Sequence, residues 1–264
     1  MTASNEQEIK ACCANFYQND IVRTVMGGVF HPGGLDLTRH LGEIVGLTPA
    51  DHCLDVACGQ GRSAVYLAEK FGCRVSGVDY GEVNIENSRV HAAEKGMDGL
   101  TEFRQGDAEG LPFPDGEFDT VISECSFCTF PDKTTAAREM TRVVRPGGRL
   151  GLTDMTVNRP LPDDIEHLLA WVACVTGAAT PDEYVGTLRP AGWTDFVVED
   201  QSAALLDMVA DIRHRLLAIA FAVALGKVDL GGLDVKEGKR LAKRALELVE
   251  DGTIGYTLIT AVRG

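Results

Sequence analysis

The 264-residue chain carries 39 Asp and Glu against 25 Lys and Arg, a formal net charge of −14, with 45% hydrophobic and 24% charged residues. That length suits one large domain, or one domain with substantial insertions, with enough chain to bury a core. So acidic a chain is poorly suited to a polyanion, which argues against nucleic acid or an anionic membrane as partner.

No run reaches the ~18–20 apolar residues of a membrane helix; the longest apolar stretch is Leu216 to Leu225. The first residues, Met-Thr-Ala-Ser-Asn-Glu-Gln-Glu, lack the basic start and apolar centre of a secretory leader. The expectation is a cytoplasmic protein with reduced thiols and no membrane insertion.

In chain order, residues 5–26 read as a helix broken by Gly27-Gly28 and His31-Pro-Gly-Gly34, and 35–46 as a second helix. Strand 52–56 precedes helix 62–71, strand 74–78 precedes helix 82–95, and strand 101–105 ends at Gly106-Asp107. Strand 118–123, helix 132–144 and strand 148–154 complete the first half. Strands alternating with helices of ~10–15 residues imply βαβ units and a doubly wound, mostly parallel α/β sheet. Beyond it come helices 163–176 and 181–191, strand 196–199, helices 203–225 and 235–250 around a Gly-rich break at 226–232, and a β-rich run at 254–262. The organisation read from this is an N-terminal helical cap over 1–48, an α/β domain over 49–200, a helical insertion over 201–252, and a last strand in 253–264 returning to the sheet.

Such sheets bind ligands beyond the carboxyl ends of their strands. Three features fall there. After strand one comes the turn Ala57-Cys-Gly-Gln-Gly61; glycine lets the backbone turn tightly and approach a ligand closely. Strand two ends in Asp79, a carboxylate able to accept ribose hydroxyls, and strand three in Gly106-Asp-Ala108. A glycine turn alone also fits a dinucleotide oxidoreductase, but that site favours G-x-G-x-x-G to seat a pyrophosphate. Here the spacing is Ala57-x-Gly59-x-Gly61 followed by Arg62-Ser63, and the site follows an N-terminal helical segment.

Four ordered segments resemble the motifs of class I S-adenosylmethionine-dependent methyltransferases: Leu54-Asp-Val-Ala-Cys-Gly-Gln-Gly61, Gly77-Val-Asp-Tyr80, Gly106 through Asp119, and Arg142-Val-Val-Arg-Pro-Gly-Gly-Arg149. The resemblance spans about residues 50–155 and implies a seven-stranded Rossmann-like sheet and S-adenosyl-L-methionine as cofactor. It implies that Asp55, Ala57, Gly59 and Gly61 face the methionine part, that Asp79 binds the ribose with Tyr80 beside the adenine, that Asp107 and Ala108 face the adenine ring, and that Ser123 and Glu124 lie near the sulfonium end. Ala57 departs from the family, which often has Gly there; alanine is a mild change if φ is negative.

The acceptor region after strand four reads Ile122-Ser-Glu-Cys-Ser-Phe-Cys128. With Phe130-Pro-Asp-Lys133 and Trp171-Val-Ala-Cys174-Val-Thr-Gly-Ala178, it resembles arsenite methyltransferases. That resemblance implies that Cys125 and Cys174 hold trivalent arsenic as substrate; soft thiolates suit a thiophilic centre, whose lone pair attacks the methyl group. Glu124 is then either an acceptor base or an orienter of the cofactor's ammonium group. The family often has a further Cys where this chain has Ala64, while Cys58 and Cys128 are extra, and Cys12-Cys13 read either as a third ligand swinging over the site or as ordinary residues of a cap helix. The plainer reading is that these cysteines are packed thiols. Cys125-x-x-Cys128 has no second pair at zinc spacing. His31 sits at the entrance to the site or in a plain turn, Trp171 and Trp193 read as core, and Arg213-His-Arg215 as a solvated helix face. Two other functions share the cofactor motifs: methylation of a small organic acceptor such as a quinone or sterol, and a cofactor- or metalloid-binding protein without turnover.

Overall fold

The computed structural model describes residues 31–162, 175, 177–224 and 235–264. The expected helices over 5–26 and 163–176, the glycine breaks at 27–28 and 226–232, and Trp171, Cys12, Cys13 and Cys174 lie outside the described residues.

Fourteen elements are used below. They are α1 (Gly34–Ile44), β1 (His52–Val56), α2 (Arg62–Phe71), β2 (Arg74–Asp79), α3 (Glu82–Lys95), β3 (Thr101–Gln105) and β4 (Phe118–Glu124), followed by α4 (Lys133–Val143), β5 (Val144–Val157), α5 (Pro181–Leu188), β6 (Trp193–Asp200), α6 (Ser202–Ala224), α7 (Val235–Glu250) and β7 (Ile254–Arg263). The strands form one seven-stranded sheet in the order β3-β2-β1-β4-β5-β7-β6. β1 pairs parallel with both β2 and β4. All five of its residues are buried, as expected of a strand covered on both faces. β7 runs antiparallel between β5 and β6.

The sheet order turns back on itself at β1 and β4: the chain builds β2 and β3 to one side of β1, then crosses to lay β4 on the other. The loops leaving β1 and β4 therefore diverge, and the crevice between them is where doubly wound sheets bind ligands.

Three elements differ from the sequence reading by more than two residues at an end. β5 spans 144–157 rather than 148–154, because Phe118 pairs with Val144 while Thr120 pairs with Arg149. The Arg145-Pro-Gly-Gly148 turn is thus a bulge within the strand, with Gly147 at φ +72. β6 begins at Trp193 rather than Phe196, and a second register shift at Asp195 (φ +51) re-aims it. The helix expected over 181–191 stops at Leu188 and tightens into a 3-10 turn over Arg189–Ala191 around Pro190, which lacks an N–H to continue it.

The core lies on both faces of the sheet. Trp193 and Tyr184 are fully buried, and Phe118, Leu150 and Ile122 meet within the same cluster. The helical layer is separate: Leu216 and Ala242 bury against each other where α6 packs on α7. Arg213 and His214 are exposed on α6. No helix of the described residues is long and apolar enough to cross a membrane.

Candidate active site

The first wall is the turn from β1 into α2. Gly61 sits at φ +71, and a Cβ there would fall 2.8 Å from the Cβ of Ser88 and 2.9 Å from the Phe103 ring, so only glycine lets α2 start this close to α3 and β3. Gly59 behaves differently: a Cβ on it would meet nothing within 4 Å, so the turn opens onto free space there. Ala57 sits at φ +60, so the condition under which alanine is a mild change, a negative φ, is not met. An L-residue in this region costs about 1–2 kcal/mol. Glycine loses more backbone entropy on folding, so Ala57→Gly should raise stability by a net ~0.5–1 kcal/mol, read as a higher urea midpoint at unchanged slope.

Asp79, buried at the end of β2, organises this turn. Its Oδ2 accepts the N–H of Gly59 at 2.9 Å, and its Oδ1 accepts the N–H of Gly81 at 2.8 Å and the amide of Asn84 at 2.9 Å. Burial pushes its carboxyl above the usual range, and the three hydrogen bonds oppose that shift. The sequence reading gave Asp79 ribose hydroxyls; the contacts it makes here lock the glycine turn to β2. Tyr80 beside it is partly exposed, and its carbonyl accepts the amide of Gln105. Asp107 closes its own turn, with Oδ1 accepting the N–H of Glu109 at 3.0 Å, and Ala108 is half-buried within that turn.

Asp55 is 2% exposed on β1, and its Oδ2 has no hydrogen-bond partner among the described residues. Burial, then the nearby charges of Glu124 and Asp79, push its carboxyl well up. Three carboxylates thus share one end of the crevice, and among the described residues the one basic side chain paired with any of them is His31, 3.6 Å from Glu124. A ligand bringing a sulfonium and an ammonium supplies the missing positive charge, so the residues present fit S-adenosylmethionine.

The second wall is the end of β4. Ser123 is fully buried and ties β4 to β1 by donating to the Val56 carbonyl at 3.0 Å, with Ser126 Oγ at 2.6 Å. The Glu124 side chain is 4% exposed, and Thr38 Oγ1 lies 3.1 Å from each of its oxygens. Cys125 then turns the chain at φ +54, its N–H donating to Thr153. It is half-buried, whereas Cys53, Cys58, Cys73 and Cys128 are buried. Burial pushes the Cys58 thiol well up, which makes it a poor thiolate and a packed residue of the glycine turn. The Cys128 N–H donates to the buried carboxylate of Asp154 at 2.8 Å.

The third wall went unread in the sequence. Tyr256 on β7 lies 3.0 Å from Thr153 through its hydroxyl, and Tyr184 on α5 donates to the Met155 carbonyl at 2.9 Å. Burial raises both phenols, and the acids and thiols around Cys125 add to it. Asp154 lies inside β5, three residues short of its end, although the sequence reading closed that strand on it; the tyrosines depend on how β7 and α5 pack. Cys174 lies outside the described residues, so its distance from Cys125 is not on view, but Gly177, three residues later, lies against the Cys128 carbonyl. Among the described residues no cluster of three or more His, Cys, Asp or Glu is placed to hold a metal ion.

Comparison with known proteins agrees with this geometry. A methyltransferase domain model matches residues 54–152. An O-methyltransferase of Penicillium expansum is 32% identical over 93% of this chain and 89% of its own length. An arsenite methyltransferase of Halobacterium salinarum is 30% identical over 61% of this chain and 42% of its own. The solved structure of a geranyl diphosphate methyltransferase in complex with S-adenosylmethionine superposes with TM-score 0.69 at 22% identity, covering 87% of this chain and 85% of that one, a likeness of fold. With a crevice suited to a cationic cofactor and a relative shared along nearly its whole length, the chain belongs to the class I S-adenosylmethionine-dependent methyltransferase family.

Proposed function

We propose that the methyl acceptor is a soft, thiophilic centre such as trivalent arsenic, held as substrate by the thiolates of Cys125 and Cys174. The observation that carries this reading is Cys125: of the described cysteines it alone is not buried, and it stands at the end of β4 beside Glu124. The docking of Gly177 on the Cys128 carbonyl keeps the chain just after Cys174 close to the same turn. S-adenosylmethionine, when bound, supplies an electrophilic methyl group on sulfur. The protein's part is alignment: thiolates fix the soft centre so that its lone pair points along the line of displacement, and no side-chain base has to take a proton. Asp55, Gly59, Gly61, Asp79 and Glu124 would hold the cofactor, with Tyr80, Asp107 and Ala108 at its adenine end.

The test is methylation of arsenite in the presence of a reducing thiol. Cys125→Ser and Cys174→Ser are each expected to lose at least ~100-fold in rate while binding S-adenosylhomocysteine within about twofold of wild type, an effect of the size that misaligning a reacting group produces. Full arsenite methylation by both single variants would sink the reading.

A second reading is methylation of an oxygen on a small organic acceptor. It is supported by the Penicillium expansum O-methyltransferase, shared over 89% of its length, where the arsenite methyltransferase is shared over 42%. On that reading Cys125→Ser leaves turnover nearly intact, and a panel of phenols and alcohols with labelled cofactor yields a methyl ether.

A further inference from the structure

The segment Arg142-Val-Val-Arg-Pro-Gly-Gly-Arg149 has no part in the chemistry above, and its three arginines go to different places. Arg145 pairs with Asp119 at the start of β4. Arg149 pairs with Asp51 ahead of β1 and donates to the carbonyls of Val45 and Gly46. Both sit at the amino ends of the parallel strands, away from the crevice. Arg142, in the last turn of α4, instead grips the loop that leaves β3. All five of its N–H donors are used. Nη1 donates to the Phe113 carbonyl at 2.7 Å and to Asp115 on the surface at 2.9 Å. Nη2 donates to the Leu111 carbonyl at 3.0 Å, and Nη2 and Nε together hold the two oxygens of Glu139. Glu139 in turn accepts the Leu111 N–H at 2.8 Å, so both backbone polar groups of Leu111 are bound by side chains of α4. Pro112, the next residue, packs so closely on Gly106 that a Cβ there would fall 2.9 Å from its ring. Gly106 leads into Asp107, whose carbonyl accepts the Gly110 N–H and whose Oδ1 accepts the Glu109 N–H, closing the turn that carries Ala108. A displacement of Leu111–Phe113 is thus passed to Gly106 and Asp107.

We propose that Arg142, braced by Glu139, is a positioning residue for base recognition: it fixes the loop that brings Asp107 and Ala108 to the adenine, and so sets how well the site tells adenine from a base that lacks the 6-amino group. This rests on Asp107 and Ala108 meeting the adenine and is independent of which acceptor is methylated. A carboxylate accepts from an amino group and repels a carbonyl oxygen, so Asp107 favours adenine over hypoxanthine. A site that bonds a ligand's N–H rejects an analogue without it because the site's own polar group is then left unpaired, and that penalty is full only where the group is held in place. Neither Arg142 nor Glu139 contributes a group to the cofactor; both act through the backbone of the loop. The planar guanidinium fork is what allows one side chain to hold a carboxylate and two carbonyls at once, which a lysine ammonium does not reproduce.

The experiment is calorimetric titration of the full chain with S-adenosylhomocysteine and with S-inosylhomocysteine, which differs only in carrying hypoxanthine, with its 6-oxo group, in place of adenine. The wild type is expected to bind the adenine ligand at least ~10-fold more tightly. In Arg142→Gln that ratio is expected to fall to about two- to threefold, chiefly through weaker binding of S-adenosylhomocysteine. Glu139→Gln, which keeps an acceptor for Leu111 but loses the ion pair, is expected to give an intermediate ratio. Arg145→Gln, in the same segment but at the amino ends of the strands, is expected to keep the wild-type ratio. The two ligands share the methionine part and the ribose, so a general loss of stability or damage to the glycine turn weakens both together and leaves the ratio unchanged. If Arg142→Gln fails to fold, Glu139→Gln decides the matter. Asp107→Asn checks the reading underneath: its amide can donate to the 6-oxo group, so the preference for adenine is expected to vanish or reverse. A wild type that does not separate the two ligands, or an Asp107→Asn protein that separates them as the wild type does, overturns the adenine assignment. A wild-type ratio in folded Arg142→Gln, or in Glu139→Gln where that is the variant that folds, together with its loss in Asp107→Asn, overturns the proposal alone.

Discussion

Asp79→Ala is expected to lose at least ~100-fold in affinity for S-adenosylhomocysteine and ~2–4 kcal/mol of stability. The aspartate is the acceptor for three donors at once: the N–H groups of Gly59 and Gly81 and the amide of Asn84. Each buried donor left without a partner costs ~1–3 kcal/mol, part of which is recovered by removing a carboxylate that burial already disfavours. The affinity loss follows from geometry as well as from any contact to the ligand. Without it the Cys58 N–H still donates to the Val78 carbonyl of β2 at 3.0 Å, but the N–H of Gly59 loses its tie to that strand and the cofactor meets a loosened cradle. Calorimetric titration gives the affinity and a urea melt the stability. An Asp79→Ala protein that binds the product cofactor as wild type does would refute both roles.

The second large effect is expected at Gly177. A Cβ there would lie 2.1 Å from the Cys128 carbonyl oxygen and 3.3 Å from Lys133 Nζ. No side-chain rotation relieves a clash with a backbone oxygen, so Gly177→Ala must push the 175–180 segment off the β4 turn by about an ångström. Such a shift near the reacting atoms costs on the order of 100-fold in rate. The expected result is a ~10- to 100-fold loss of methyl transfer to the acceptor with S-adenosylhomocysteine affinity within about twofold, because the glycine turn, Asp79 and Glu124 lie on other elements. Equal loss of cofactor binding would show that Gly177 supports the whole fold rather than the acceptor side. Wild-type methylation would show that the segment need not sit on Cys128 at all.

Much of this was legible before any coordinates. The βαβ alternation and the ends of β1, β2 and β3 could be read because parallel strands buried on both faces appear as short apolar runs, and because ligand-facing residues must follow them. Asp79 and the glycine turn were placed at strand ends this way, although the hydrogen bonds linking them were not foreseen; a contact between residues 59 and 79 carries no local signature. Ala57 was misjudged for the same reason: whether alanine strains a turn depends on φ, and its φ of +60 is imposed by the strand-to-helix connection rather than by neighbours in sequence. The second half was harder. β6 was shortened because the bulge at Asp195 interrupts the alternation, and Tyr184, Tyr256 and Thr38 were missed because they reach the site from α5, β7 and α1, elements whose placement is a matter of tertiary packing. The Glu124–His31 contact joins positions 93 apart in number, and only the fold brings them together.

The position of β7 sets the order in which the protein can be made. β7 separates β5 from β6, yet it is made after both of them. While residues 1–253 emerge from the ribosome, β5 has an unpaired edge along Arg149–Val157, and β6 has no neighbour in the sheet. The cofactor half, β1 to β4 with its helices, can assemble early because its partners lie close in sequence. The half carrying Tyr256, which closes over Thr153 beside Cys125, must wait until β7 has been made. Nascent or C-terminally shortened chains therefore expose a sticky strand edge next to a formed nucleotide crevice, the kind of partial structure on which chaperones act and from which aggregation starts.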